Sequence, residues 1–258
     1  MRFVFHISYD GSPYFGWQRQ PDRATVHQVV EETMAKITKT KIHCQGCGRT
    51  DTGVHASQYF FHADLDFTPD HQFLEILNFN LPDTIAVFDY FPVPDRFHAQ
   101  YHAISRKYQY FIHRGKDAFF AQKSLWYPSK PDWKLINDAL SLLPGQHDFA
   151  AFCLTPEKHH TTVCEIYEAS LTNWGEDRYY FSFKANRFLR GMVRILVGNL
   201  VELGKGRLST ETFEHHLMTG QKLRFHNIAP PQGLYLSKVE YPDKDIKRLG
   251  WMPGDNKP

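Results

Sequence analysis

Residues 46–56 have the sequence Gly-Cys-Gly-Arg-Thr-Asp-Thr-Gly-Val-His-Ala. Three glycines in so short a stretch indicate a loop that turns sharply or lies close to another segment, because glycine tolerates positive φ and has no side chain. Asp51 is the only carboxylate residue between Glu32 and Asp64. Because Arg49 favours the charged form of a neighbouring carboxyl group, we expect Asp51 to be ionised and available as a nucleophile. A tight turn closed by an Asx hydrogen bond is the structural alternative.

The composition is that of a globular protein with one large or two modest domains: 258 residues, of which 42% are hydrophobic and 22% charged. The formal net charge of +2 excludes a uniformly basic, histone-like binder, so a nucleic-acid surface requires clustered basic residues. The first seven residues lack the length and the cleavage site of a secretory leader, and no apolar run reaches the ~18 residues that span a bilayer. We therefore expect a cytoplasmic protein.

Four cysteines raise the question of zinc or redox chemistry, and two of them, Cys44 and Cys47, form a Cys-x-x-Cys pair. A single pair is weak evidence, because a structural zinc site needs four ligands and Cys153 and Cys164 are not at ligand spacing. We interpret all four as reduced thiols and expect no metal. A metal or redox protein built on Cys44 and Cys47 is the alternative, and bound zinc would support it.

The first hundred residues predict an alternation of strands and helices. Apolar and polar residues alternate in the strands, and Thr25 opens a capping box before the first helix. Between the first strand and that helix lies a polar loop with Trp17 and Arg19, which is either a binding loop or a connector whose Trp folds back onto the core. The predicted elements are strands over 3–9, 58–67 and 85–91, and helices over 25–37 and 68–81.

The second part of the chain begins with residues 97–113, which we predict to be extended. Side chains alternate on a strand, so Arg106, Tyr108 and Tyr110 share one face. An aromatic ring and a guanidinium on one face can stack on a base and contact its phosphate, although an ordinary amphipathic strand has the same pattern. The remaining predicted elements are helices over 132–143, 186–203 and 209–218, and strands over 161–171, 178–185 and 234–241.

The predicted helix over residues 186–203 carries arginines within a strongly apolar segment. Arg187, Arg190 and Arg194 are three and four residues apart, so they are predicted to form one stripe. Arg194 lies in the middle of the apolar run, where a guanidinium is either at a rim with its head in water or buried against a carboxylate. A lone ionised aspartate from another loop, such as Asp51, is a suitable partner.

Five motifs together resemble the tRNA pseudouridine synthase A family. The Gly-Arg-Thr-Asp run in its surrounding sequence is specific to this family. The other motifs are weak alone but gain weight because they occur in the family's order over nearly the whole chain. The motifs are residues 9–11 with 16–20, 48–56, 106–108, 192–194 followed by Gly198, and 229–235.

The resemblance implies an α+β pseudouridine synthase fold with two ferredoxin-like α/β halves, whose mainly antiparallel sheets flank a central basic cleft. We expect an N-terminal half over residues 1–100 with the aspartate loop and a C-terminal half over 101–258 with the tyrosine strand and the arginine helix. The implied activity is isomerisation of uridine to pseudouridine at positions 38–40 of the tRNA anticodon stem-loop. The family also implies a homodimer that uses neither a cofactor nor a catalytic metal.

The resemblance also assigns roles to individual residues. Asp51 matches the catalytic aspartate, which either attacks C1′ or assists elimination at the sugar. Tyr108 matches the tyrosine that stacks on the target uracil and is a candidate for removing the C5 proton, and Arg194 matches the arginine paired with the aspartate. The target base must leave the stem before it reacts. The residues expected to contact the substrate RNA are Arg49, which helps to flip or hold the nucleotide, Tyr108, Arg19, Arg106 and Arg190. The alternative is a catalytically inactive tRNA-binding protein of the same fold.

Overall fold

The computed structural model describes residues 1–222 and 227–242. They form two compact units. The first contains residues 1–52, 56–104 and the described chain from 238 onward, and the second contains residues 53–55 and 105–237. The chain therefore leaves the first unit directly after Thr52, enters the second for three residues and returns.

In the first unit, most of the secondary structure comes from residues 2–93. Thr25 caps the first helix by accepting a hydrogen bond from the backbone N–H of Gln28, as the capping box predicts. The elements are β1 (Arg2–Tyr9), α1 (Val26–Thr38), β2 (Cys44–Gly46), β3 (His55–Asp64), of which His55 belongs to the second unit, α2 (His71–Asn80) and β4 (Ile85–Val93).

The sheet of the first unit has β1 at its centre, with β4 on one side and β3 on the other, all antiparallel, and β2 extends it beyond β3. Phe5 and Phe61 face each other across β1 and β3, and their rings stack at 4.9 Å. Both faces of these strands are buried. The face of His6 and Phe60 is covered by aromatic side chains, including that of Tyr241, which meets Phe60 at 5.5 Å.

The second unit is built from a sheet and three helices. Its elements are β5 (Ser105–His113), β6 (Leu125–Trp126), α3 (Trp133–Leu140), β7 (Gly145–Asp148), β8 (Val163–Gly175), β9 (Arg178–Ala185), α4 (Met192–Gly204), α5 (Thr210–Thr219) and β10 (Leu234–Glu240), whose residues from Lys238 belong to the first unit.

The sheet of the second unit has the order β10-β5-β9-β8-β7, with the short β6 parallel to β5 and antiparallel pairing from β5 to β7. Helix α4 lies in its core: ten of its residues are buried, and the cluster around them includes Phe181 and Phe183 of β9. Val54, three residues after Asp51, belongs to the same apolar cluster. The predicted α+β class with mainly antiparallel sheets is confirmed.

Several element boundaries differ from the sequence predictions, among them the starts of two helices and of one strand. The helix expected over residues 186–203 begins only at Met192. Gly191 has φ 72°, a left-handed conformation that stops the helix from extending toward the residues before it. The helix expected from Thr68 begins at His71, since Asp70 is its N-cap and accepts from the N–H of Phe73 at 2.8 Å. Of the extended segment expected over 97–113, only the part from Ser105 is a strand.

Within the described residues, the helices are too short or too polar to cross a membrane.

Candidate active site

The loop that carries Asp51 leaves the end of β2 and is tied to β3 at its start. The backbone N–H of Cys47 donates to the carbonyl of Phe60 at 2.8 Å. The Tyr59 hydroxyl donates to the carbonyl of Gly48 at 2.6 Å. These bonds hold the loop against a buried part of the first-unit sheet before it reaches the carboxylate.

Thr50, the residue before Asp51, is held by strand β1 and by the loop that follows β1. Its hydroxyl lies 2.8 Å from that of Tyr9, and its carbonyl accepts from the N–H of Trp17 at 3.3 Å. A Cβ on Gly16 would collide with the same carbonyl, and Gly16 has φ 82°. Thr50 is buried while Asp51 is half-buried, so the buried contacts hold the residue before the carboxylate and leave the carboxylate itself partly accessible.

Trp17 supports this scaffold from inside the first unit. It is only 2% exposed, and its ring stacks on that of His27 at 5.4 Å and packs against Tyr59 at 4.2 Å. A Cβ on Gly46 would meet both the Trp17 ring and the Tyr59 hydroxyl. The structure therefore confirms that Trp17 folds back onto the core, so it offers no face to a nucleotide.

Arg19 lies against helix α1, where two carboxylates hold its guanidinium. Its Nη1 is 3.1 Å from Oε2 of Glu31, and its Nη2 is 3.1 Å from Oε1 of Glu32. Glu31 is buried and also accepts from the N–H of Cys44 at 2.9 Å, while its Oε1 is 3.0 Å from Nε2 of His27. One carboxylate thus joins the Arg19 loop, α1 and the start of β2.

Arg49 is exposed. Across residues 1–222 and 227–242 it forms no ion pair, either with Asp51 or with another carboxylate. Its side chain is therefore accessible to a ligand.

After Asp51 the loop continues into the second unit. Gly53 has φ 75°, a conformation that disfavours other residues, and a Cβ there would lie 3.1 Å from Cγ of Pro231. Val54 follows and is buried in the second-unit core. Both ends of the loop are therefore fixed, each within its own unit.

Strand β5 carries Arg106, Tyr108 and Tyr110 on one face. The Tyr108 ring is partly buried and meets the edge of the Phe188 ring at 5.0 Å and 84°. Arg106 donates from Nη1 to the carbonyl of Asn186 at 3.1 Å. Tyr110 is completely buried, so of the two tyrosines only Tyr108 is partly accessible to a base.

Arg194 lies in the first turn of α4 and is half-buried. Its Nε donates to the carbonyl of Ala229 at 2.7 Å. Arg187 and Arg190 precede the first residue of α4, so the helical stripe predicted for the three arginines does not exist. Arg190 is exposed, and its carbonyl accepts from the N–H of Leu154 at 3.1 Å.

The candidate residues divide between the units. Asp51, Arg49 and Arg19 belong to the first, and the second contains Tyr108, Arg106, Arg190 and Arg194. Sequence reasoning missed the supporting roles of Tyr9, Tyr59 and Glu31, although Tyr9 lies in one of the motifs. The sequence could have indicated the role of Glu31, because this residue follows Val30 on the apolar side of α1, where a carboxylate needs partners.

All four cysteines are free and buried. Burial raises the pKa of the Cys44 thiol well above its ordinary range, and the neighbouring Glu31 acts in the same direction, so Cys44 stays a thiol rather than a reactive thiolate. Within the ranges that the structure describes, no group of three or more His, Cys, Asp or Glu side chains is arranged to hold a metal ion.

The family model described as tRNA pseudouridine synthase matches residues 6–102 and 139–242, which is most of the chain. This chain belongs to the tRNA pseudouridine synthase family. Asp51, Arg49 and Arg19 lie in the first matched range and Arg190 and Arg194 in the second, while the β5 residues fall between the two.

Individual relatives match at nearly full length. The chain is 39% identical to tRNA pseudouridine synthase A of Gloeobacter violaceus over 254 residues, covering 96% of this chain and 83% of the relative. It is 38% identical to the Porphyromonas gingivalis protein of the same name over 247 residues, covering 93% and 97%. The Exiguobacterium sibiricum protein, also so named, is 36% identical over 94% of this chain and 97% of its own.

Proposed function

We propose that this protein isomerises uridine to pseudouridine in tRNA, at positions 38–40 of the anticodon stem-loop. The observation that carries the proposal is membership of the tRNA pseudouridine synthase family, combined with an intact aspartate loop fixed at both ends. Relatives named tRNA pseudouridine synthase A match over more than nine-tenths of this chain.

The reaction needs no external group. The N1–C1′ bond breaks, the uracil turns, C5–C1′ forms, the C5 proton leaves and N1 gains a proton. We assign Asp51 the covalent or eliminating step at the sugar, because a positioned, partly accessible carboxylate suits either route. Arg194 is assigned to pair with that carboxylate and orient it, as the family resemblance implies.

Tyr108 is assigned to stack on the extruded uracil. The Tyr108 ring packs edge-on against Phe188. This contact limits the motion of the ring, so that stacking on a base costs little conformational entropy. Tyr108 is also the candidate for taking the C5 proton. Arg49 is assigned to the flipped nucleotide, since it is exposed and forms no ion pair within the described residues.

Three further arginines are proposed to contact the RNA backbone. Arg190 is exposed, and Arg106 has one Nη bonded to a backbone carbonyl, which orients the rest of its guanidinium. Arg19 is the least available, because Glu31 and Glu32 already bind it, so tRNA must compete with two carboxylates. We further propose a cytoplasmic homodimer, as the family resemblance implies.

The catalytically inactive alternative predicts a damaged aspartate, tyrosine or arginine position. Asp51, Tyr108 and Arg194 all retain their reactive groups, which favours the enzyme.

The proposal is tested by incubating the protein with an unmodified tRNA transcript that has uridines at 38–40. Pseudouridine is mapped by chemical labelling and primer extension. We expect stops at those positions and none when each uridine is replaced by cytidine. Stops elsewhere in the tRNA would contradict the assigned position, and tRNA binding without any product would support the inactive alternative.

A further inference from the structure

The segment Ala229–Gly233 has the sequence Ala-Pro-Pro-Gln-Gly and leads into β10 through a short 3-10 turn. The family motif includes it, but the proposed chemistry gives it no role. Within the second unit it is held at four places by residues that are far away in the chain.

Its first contact is with Arg194, and the contact runs in both directions. The N–H of Ala229 donates to the carbonyl of Arg194 at 3.0 Å, and Nε of Arg194 donates to the carbonyl of Ala229 at 2.7 Å. The guanidinium is planar with its N–H groups in a fixed fork. A bond at Nε therefore sets the plane and direction in which both Nη groups point.

Helix α4 has a glycine where the chain that enters this segment packs against it. A Cβ on Gly198 would collide with the carbonyl of Asn227 and approach the nitrogen of Ala229. The backbone thus lies directly on α4 one turn after Arg194, and only glycine permits this distance.

Tyr110 holds the centre of the segment from β5. Its hydroxyl donates to the carbonyl of Pro230 at 2.7 Å, and the side chain is completely buried. Burial raises the pKa of Tyr110, so the hydroxyl keeps the proton that it donates. Gly233 follows, where a Cβ would lie 2.9 Å from the Tyr110 ring and 2.8 Å from the carbonyl of Phe111.

The outer side of the segment touches the aspartate loop. Pro231 packs on Gly53, where a Cβ would be only 3.1 Å from the proline Cγ, and Gly53 is two residues after Asp51. A proline ring is a rigid contact, because its φ is fixed.

We infer that Ala229–Gly233 is a positioning segment: it sets the direction of the Arg194 guanidinium through Ala229 and the backbone of Gly53 through Pro231, and Tyr110 keeps it in place. This inference rests on the proposed function for its catalytic consequence. Its structural content, that Tyr110 controls the backbone at Gly53, stands without it.

Tyr110→Phe is the sharpest test, because it deletes one hydroxyl and keeps the ring that packs on Gly233. Tyr90→Phe is the matched control: the Tyr90 hydroxyl also donates to a proline carbonyl, that of Pro69, at 2.8 Å in the first unit. We expect Tyr110→Phe to lower kcat roughly tenfold with KM for tRNA within about twofold, and Tyr90→Phe to change kcat less than about twofold.

Hydrogen exchange provides a readout that does not need turnover. We expect faster exchange in peptides containing residues 52–54 and 229–233 in Tyr110→Phe, and no change there in Tyr90→Phe. If wild-type protein makes no pseudouridine, the proposed function fails and this exchange pattern alone decides the inference. Equal exchange at residues 52–54 in both variants, or equal kcat values in an active enzyme, would overturn it.

A second variant covers the case in which Tyr110→Phe does not fold. Pro231→Ala removes the ring that touches Gly53 from a partly exposed position. We expect it to fold, to lose kcat several-fold with KM nearly unchanged, and to speed exchange at residues 52–54. An unchanged kcat together with unchanged exchange would refute the role of the segment.

Discussion

The hydroxyl of Tyr9 lies 2.8 Å from the hydroxyl of Thr50, and both side chains are buried. Tyr9 ends the central strand of the first unit, so this contact ties the residue before Asp51 to a strand that is paired on both sides. A catalytic carboxylate has to be held closely in place, since a displacement of about 1 Å can cost on the order of a hundredfold in rate. The first-unit residues around Thr50 supply that constraint.

Gly16→Ala should displace the loop, because the added Cβ meets the Thr50 carbonyl and the residue has φ 82°. We expect the free energy of unfolding to fall on the order of 2 kcal/mol and kcat to fall at least tenfold. Urea unfolding and single-turnover assays measure the two effects. Gly115→Ala is the control, since nothing lies within 4 Å of its Cβ position. Wild-type values for Gly16→Ala would show that the loop tolerates this contact.

Glu31→Ala should destabilise the protein far more than Glu32→Ala, although both carboxylates bind Arg19. The Glu31 side chain is 10% exposed and also binds Cys44 and His27, whereas that of Glu32 is 57% exposed. We expect a loss on the order of 3 kcal/mol for Glu31→Ala and about 0.5 kcal/mol or less for Glu32→Ala. Chemical denaturation of both variants at pH 7 measures the difference. Similar losses would mean that Glu31 does not join the three segments.

Stability should fall as the pH is lowered from about 6.5 toward 4. Burial lowers the pKa of His62 from 6.5 to about 4, helped by the charge of Arg2. The unfolded chain binds this proton near its ordinary pKa and the folded chain does not, so acid favours unfolding. Nδ1 of His62 accepts from the N–H of Ala99 at 3.2 Å and would lose that bond on protonation.

The test of that pH dependence is His62→Gln, with unfolding free energies measured at pH 7 and pH 5. We expect wild type to lose about 1–2 kcal/mol more than the variant over this range. His6, whose pKa burial also lowers to about 4, should leave a residual dependence in the variant. Parallel curves for the two proteins would assign the acid sensitivity to other groups.

Arg194→Leu should lower kcat at least a hundredfold while tRNA binding stays within about threefold, because we propose that the guanidinium pairs with the catalytic carboxylate. Arg207→Leu is the control: Arg207 lies beyond the other end of α4, and its side chain is 70% exposed and bonds Glu202. Single-turnover rates and filter binding separate the two effects. An Arg194→Leu enzyme with full activity would remove Arg194 from the mechanism.

Much of the fold follows from local patterns that the sequence displays. Thr25 caps α1 as predicted and Ser209 caps α5 in the same way, because a capping side chain acts on a backbone N–H only three residues away. The start of α4 was missed for a related reason: Phe188 and Leu189 continue the apolar composition, and only the left-handed conformation of Gly191 ends the segment. Composition gives no sign of which glycine adopts it.

For the candidate site, the sequence motifs point to specific chemical groups, whereas contacts between distant segments leave no local pattern. Asp51, Tyr108 and Arg194 were proposed from the motifs around them. The partners of Arg19 were not, because Glu31 and Glu32 are 12 and 13 residues away and become neighbours only once α1 has packed. Likewise, no local pattern places the Tyr110 hydroxyl on a carbonyl 120 residues later.

The most direct test of the central claim compares Asp51→Asn with wild type on one unmodified tRNA transcript, measuring tRNA binding and pseudouridine at positions 38–40 in the same samples. Asparagine keeps the size of the side chain and removes its negative charge. We expect binding within about threefold of wild type and no detectable product, since we propose that the carboxylate performs the step at the sugar. Substantial turnover by Asp51→Asn would contradict the account.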